Sequence, residues 1–112
     1  MAFLPEKNVF EETLATAYDL SLGSTIFSSS DISKFNIISL QFIYNNVNGS
    51  NEFIIEQSND NTNWSELGIK YDIPLGNGNF IIDKTTFTGK YIRISLLNSE
   101  LGTLTIELLA KR

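Results

Sequence analysis

Cysteine and histidine are both absent from these 112 residues. Their absence removes disulfides, thiolate nucleophiles, imidazole bases and every zinc site built from those two side chains. No stretch approaches the roughly 18 consecutive apolar residues of a membrane-spanning helix, and the lack of cysteine fits synthesis in a reducing compartment. Basic residues are few: eight against thirteen acidic ones, for a formal charge of −5. That sign opposes attraction to phosphate backbones and anionic lipid, so neither nucleic acid nor a membrane is an expected partner. The opening MAFLPEKNVF lacks the apolar run of about 7 to 15 residues that a secretory signal needs, so no export signal is expected. The glycosylation-type triplets at Asn48 and Asn63 carry little weight in that setting.

What the chain does have is strand grammar. In FIIEQSNDNTNW, Phe53, Ile55 and Gln57 share one face of an extended segment, and Glu52, Ile54, Glu56 and Ser58 share the other. Asn59, Asp60 and Asn61 then break the strand, because their short side chains bond nearby backbone and tolerate left-handed geometry. The segment reads as a tight hairpin that delivers Trp64 as core packing, with contact to a ligand as the alternative.

The rest of the chain repeats that pattern. Ile38, Leu40, Phe42 and Tyr44 alternate with Ser39 and Gln41, the mark of a half-buried central strand. Asn48-Gly49 lies between two hydrophobic runs and predicts a hairpin into the Phe53 strand. Leu14, Thr16, Tyr18, Leu20 and Leu22 alternate with Ala15, Ala17, Asp19 and Ser21 as a first strand. Trp64, Leu67, Ile69, Tyr71 and Ile73 mark another, with Gly68 as a bulge, and Pro74 with Gly76 and Gly78 ends it. Ile92, Ile94 and Leu96 face inward against Tyr91, Arg93 and Ser95. Leu104, Ile106, Leu108 and Ala110 oppose Thr103, Thr105 and Glu107 in a last strand expected to hairpin onto the one before it.

Turn signals every 8 to 12 residues or so, with no amphipathic helix between them, predict an all-β fold. The expectation is an antiparallel β-sandwich, jelly-roll or immunoglobulin-like, of about seven to eight strands. Surface scaling allows about two-thirds of the chain's surface to be buried, enough for one domain and one core. Residues 14–112 are assigned to the sandwich. Residues 1–13 lack any clear period and are assigned to a short amino-terminal arm, either frayed or docked on a neighbouring subunit through Phe3, Leu4, Val9 and Phe10.

Catalytic chemistry finds little foothold. No two carboxylates are placed to act as an acid and base pair. The Asn59-Asp60-Asn61 run fails the spacing of a calcium loop, and Gly76-Asn77-Gly78 is a turn signal, not a phosphate cradle. No enzyme, cofactor or metal is expected. Arg93 is placed for a cation–π or carboxylate contact, within its own sheet or with a partner subunit. Tyr18, Tyr44, Tyr71 and Tyr91 read as caps on the core, with a sugar-binding face as the alternative.

Taken together, FIIEQSNDNTNWSELG and GKYIRISLLNSELGTLTIELLAK resemble a family of small structural proteins of tailed bacteriophages. The pattern is a strand ending in Ser-x-Asp-x-x-x-Trp, an aromatic-x-Arg strand and a final Gly-Thr-hydrophobic-Thr strand. Ser58, Asp60, Trp64, Tyr91, Arg93, Gly102, Thr103 and Thr105 occupy those places here. The resemblance implies a head-decoration, auxiliary capsid or head-fibre protein on the virion. It would be assembled in the host cytoplasm, with the major capsid protein or other virion proteins as partners and a trimer or other homo-oligomer on the particle. The same Ser-x-Asp-x-x-x-Trp turn is similar to discoidin-like sandwiches, which implies a carbohydrate-binding module as the alternative, with Asn59, Asp60, Asn61 and Trp64 touching a host glycan. A tail or baseplate accessory is the other alternative. The expected arrangement puts the arm at one end and the turns at residues 46–51, 59–63 and 76–79 at the other.

Overall fold

Strand pairing in this chain is nested, like one long hairpin rolled over on itself. The computed structural model describes residues 9–84 and 87–112. Its strands are β1 (Val9–Asp19), β2 (Ile26–Ser28), β3 (Ile37–Asn48), β4 (Glu52–Ser58), β5 (Ser65–Glu66), β6 (Tyr71–Asp72), β7 (Gly76–Lys84), β8 (Tyr91–Asn98) and β9 (Leu101–Lys111). First pairs with last (β1 with β9), then β2 with β8, β3 with β7, and β4 with the short β5 and β6, all antiparallel. Two further pairings, β3 with β9 and β4 with β8, close the sheets in the orders β1-β9-β3-β7 and β2-β8-β4-β5, with β6 also on β4. With β5 and β6 counted as one interrupted strand this is an eight-stranded jelly roll, so the fold is the antiparallel all-β sandwich that the periodicity predicts.

Nesting explains why two predicted hairpins are not hairpins. Asn48-Gly49 does reverse the chain, but both edges of β3 are taken by β9 and β7. β4 therefore has no place beside β3 and crosses to the facing sheet. The turn from β8 to β9 crosses in the same way, since β8 pairs β2 and β4 while β9 pairs β1 and β3. The hairpin that stands is β4 to β5, through the asparagine-rich loop.

The assigned boundary between arm and sandwich also moves. β1 begins at Val9, paired with Lys111, so residues 9–13 belong to the first sheet. Two register shifts, at Thr13/Ala15 and Ala15/Tyr18, and a positive φ of 44° at Ala17 break the strand's period. That is why Ala15 is buried where simple alternation favours Leu14; residues 9–13 do alternate in burial, but the charged Glu12 shares the inner row with Phe10 and hides the period. Leu20, fully buried, lies past the strand in a 3-10 turn capped by Asp19, and Leu22 is exposed. Gly68 (φ 87°) separates β5 from β6, leaving Ile69 in solvent, and Gly76 opens β7 rather than ending a strand.

Between the sheets lies a continuous apolar core in which Phe42 of β3 stacks on Phe53 of β4, centroids 4.6 Å apart. Phe80 extends that stack on one side at 5.0 Å and Tyr71 on the other at 5.3 Å. Inward rows on β3, β8 and β9 are buried as their alternation predicts.

The connections fix which turns share an end. Asn48, Gly76, Asn98 and Leu101 close one end, where the Asn46 backbone N–H donates to Asn77 Oδ1 at 2.8 Å. Buried Asn51 ties that end together: its Nδ2 donates to the Asn48 carbonyl at 3.2 Å and its Oδ1 accepts from the Glu100 N–H at 2.6 Å. Val9, Ile37, Ser58, Tyr91 and Lys111 lie at the other end, where the Phe87 N–H donates to the Asn36 carbonyl at 2.9 Å. The loop at residues 59–63 is therefore on the same end as the start of β1, not opposite it as expected.

Candidate functional site

Where β4 runs out, its inward row changes from Phe53 and Ile55 to Gln57, and the sandwich opens into a polar cleft of about 280 Å³. The cleft is lined by Gln57 and its cross-strand partner Ser65, by Asn59 and Asn63 of the loop, and by Thr88 and Gly89, the last lying against Gln57. Gly89 is there for space. A Cβ would stand 3.0 Å from Gln57 Oε1 and 3.1 Å from the buried Phe87 ring.

Asp60 and Ser58 build the floor. Asp60 Oδ1 accepts from Ser58 Oγ at 3.0 Å, the Thr62 N–H at 2.9 Å and the Asn63 N–H at 2.8 Å, and Oδ2 accepts from Asn63 Nδ2 at 2.8 Å. Ser58 Oγ in turn accepts from the N–H groups of Asp60 and Asn61, at 3.2 and 2.9 Å. The bonds from Asn63, first from its backbone and then its side chain, and those from Thr62 and Ser58 hold the Asp60 carboxyl far below the usual carboxylate range. Asn61 takes the left-handed conformation (φ 61°) that the reversal requires. Serine, aspartate and asparagine at this spacing thus make a loop that satisfies itself, with little acceptor capacity left on Asp60.

Trp64 is not part of this cleft and not in the core. It is half-buried beside the outer face of the second sheet, with the Arg93 guanidinium carbon 4.2 Å from its ring centroid. Arg93 Nε donates to Glu56 Oε1 at 2.8 Å, and Ser95 Oγ donates to the same oxygen at 2.6 Å. Burial pushes the Glu56 carboxyl up, but the hydrogen bonds from Arg93 and Ser95 and the Arg93 charge outweigh it and hold it below its usual value. Arg93 is thus a cross-strand partner within its own sheet. Sequence grouped Asn59, Asp60, Asn61 and Trp64 as one contact region; the structure leaves the first three at the cleft loop and turns Trp64 to the outside.

The four tyrosines share no face either. Tyr18 donates to the Gly23 carbonyl at 2.6 Å, Tyr44 is buried in the first sheet and Tyr71 stacks in the second. Of the apolar arm residues, Phe3 and Leu4 lie outside the described residues. Phe10 turns inward and stacks on Phe35 at 6.0 Å. Val9 remains exposed and shares the outer face of the first sheet with Ile37, both opposite Lys111, and with the more exposed Ile81. Val9 was among the sequence candidates, whereas Ile37, Ile81 and the neutral residues Gln57, Ser65 and Thr88 escaped the sequence reading, since their placement depends on partners distant in the chain. Among the described residues no three histidine, cysteine, aspartate or glutamate side chains cluster to hold a metal, and no helix is long and apolar enough to cross a membrane.

No family model matches this chain, and no curated protein matches it in sequence. Solved structures do match in fold. The SPBc2 prophage-derived protein YomS superposes with a TM-score of 0.68 at 11% identity, covering 93% of each chain. The PBSX exported protein XepA gives 0.65 at 15% identity over 91% of this chain and 37% of its own, so this chain spans little more than a third of XepA. The K2 cleaved adhesin domain of Lys-gingipain gives 0.61 at 13% identity, over 78% of this chain and 62% of that one. At these identities the likeness is one of fold, a β-sandwich that recurs in phage-derived proteins and in an adhesin domain.

Proposed function

We propose that this chain is a structural protein of a tailed-bacteriophage virion, an auxiliary or decoration protein bound to the capsid surface. The observation that carries the reading is the likeness in fold to the prophage-derived YomS, which extends over 93% of each chain. The sequence resemblance to small phage structural proteins points the same way. The role is non-catalytic, and the described carboxylates with lowered pKa values support that, because each is engaged in local hydrogen bonds rather than aimed at a common point.

In this reading the jelly roll is a rigid plug. Its attachment surface is the outer face of the first sheet, where Val9, Ile37 and Ile81 are exposed among polar neighbours. Exposed apolar side chains set among polar ones on one sheet face are the anatomy of a protein interface. Binding several capsid subunits at once would stabilise the shell by mass action. The test is rebinding of purified protein to particles stripped by mild chaotrope. Wild type should rebind and Ile81→Lys should not, with both folded; rebinding of the variant at wild-type level would move the attachment surface elsewhere, and binding to tails instead of heads would make the protein a tail accessory.

A further inference from the structure

We infer that the cleft lined by Gln57, Asn59, Ser65 and Thr88 is a binding site for a neutral, polyhydroxylated ligand, a single sugar ring at the end of a surface glycan. The inference goes beyond the virion assignment and stands whether or not the chain is attached to a particle.

Four side chains at the cleft, those of Gln57, Asn59, Ser65 and Thr88, make no hydrogen bond to any described residue. Each amide carries both donors and an acceptor, and each hydroxyl donates and accepts, which is the set needed to hold neighbouring hydroxyl groups of a ring. The ligand class follows from what else is present. Among the described residues no lysine or arginine lines the cleft, so a phosphate or carboxylate would find no counter-charge among them. The one carboxylate, Asp60, already accepts four hydrogen bonds, so it offers little to a cation. A peptide would need apolar side-chain pockets or a longer strand edge than the two residues of β5, and the side chains at the cleft are polar. The volume of about 280 Å³ lies just below the ligand-cleft range of about 300–1,000 Å³, room for one ring and no more.

The floor is preorganised. Ser58 and Asp60 spend their capacity on the loop itself, so the free amides and hydroxyls stand on a fixed frame and little ordering is left for binding to accomplish. Gly89 lets the backbone pack against Gln57, since a Cβ would press on Gln57 Oε1 and the Phe87 ring.

The experiment is a titration of the 15N-labelled chain with neutral methyl glycosides of glucose, galactose, mannose and rhamnose at millimolar concentrations, read by amide and side-chain NH₂ shifts. At least one should shift Gln57, Asn59, Ser65 and Thr88 in a saturable way. Gln57→Ala and Asn59→Ala, at exposed or half-buried positions, should keep the wild-type spectrum elsewhere and weaken binding about fivefold or more each, the size of one lost hydrogen bond. Thr88→Ala is the milder second variant should either of these disturb the fold. No saturable shift with any of the four, shifts that map elsewhere, or equal affinity in the variants would overturn the inference. Tighter binding of sialylated or phosphorylated glycosides would overturn its neutral character. Particle association is measured separately, so failure here leaves the virion reading untouched.

Discussion

Arg93 lies over the indole ring of Trp64 at 4.2 Å while its Nε donates to Glu56 at 2.8 Å, so one guanidinium joins the loop leaving β4 to the outer face of β8 and β4. This ladder, not the core, is where Trp64 contributes. Trp64→Ala should therefore cost about 1–2 kcal/mol, against about 3–5 for a core tryptophan. Urea unfolding measures it, and a double-mutant cycle with Arg93→Lys should return a coupling of about 1 kcal/mol; a loss above about 3 kcal/mol with no coupling would put the ring in the core after all.

The same ladder predicts acid sensitivity. Glu56 sits below its reference value of 4.5 and Asp60 below its reference of 3.8 in the folded chain. A depressed folded-state pKa means that the unfolded chain binds more protons at low pH. Both groups therefore stabilise fully above those reference values and lose that contribution as pH falls through their folded-state values. Stability measured from pH 7 downward should decline below about pH 5. In Glu56→Gln the decline should be shallower, and an unchanged slope would show that the carboxylate is not engaged.

Gly102 and Gly23 separate steric clash from backbone strain. Both have positive φ, 120° and 102°, but a Cβ at Gly102 would stand 2.7 Å from Val47 Cα and 2.9 Å from the Asn45 carbonyl, while one at Gly23 meets nothing within 4 Å. Gly23→Ala should cost about 1 kcal/mol from strain alone. Gly102→Ala should cost distinctly more, because backbone must move; equal losses in thermal unfolding would contradict the close approach.

Asn51 joins the β3–β4 crossing to the turn before β9 through hydrogen bonds to Asn48 and Glu100. Asn51→Ala takes the partners from the part-buried Asn48 carbonyl and Glu100 N–H, at about 1–3 kcal/mol. Hydrogen exchange at Glu100 should accelerate in that variant while exchange in β8 follows the global change only.

Much of the architecture was legible because strand faces are a local property. Ile38 to Tyr44, Phe53 to Ile55, Ile92 to Leu96 and Leu104 to Ala110 alternate in sequence and alternate in burial. Sheet membership was not legible at Asn48-Gly49, since a turn signal reports a reversal and not which strands already occupy the edges of β3. β1 was misread because two bulges interrupt its period. At the site, Ser58, Asp60 and Asn61 were visible as turn chemistry, yet the cleft depends on Thr88 and Gly89, some thirty residues further on and brought in only by the pairing of β8 with β4. Trp64 carried no mark of its side, because Arg93 becomes its neighbour through that same pairing.

The central claim is membership of the virion, and the most direct measurement is quantitative mass spectrometry of purified particles of the phage or induced prophage that encodes the chain. The account predicts many copies per particle, in fixed ratio to the major capsid protein and lost together on mild chaotrope treatment. Absence from particles, with the protein recovered free in the lysate, would contradict it.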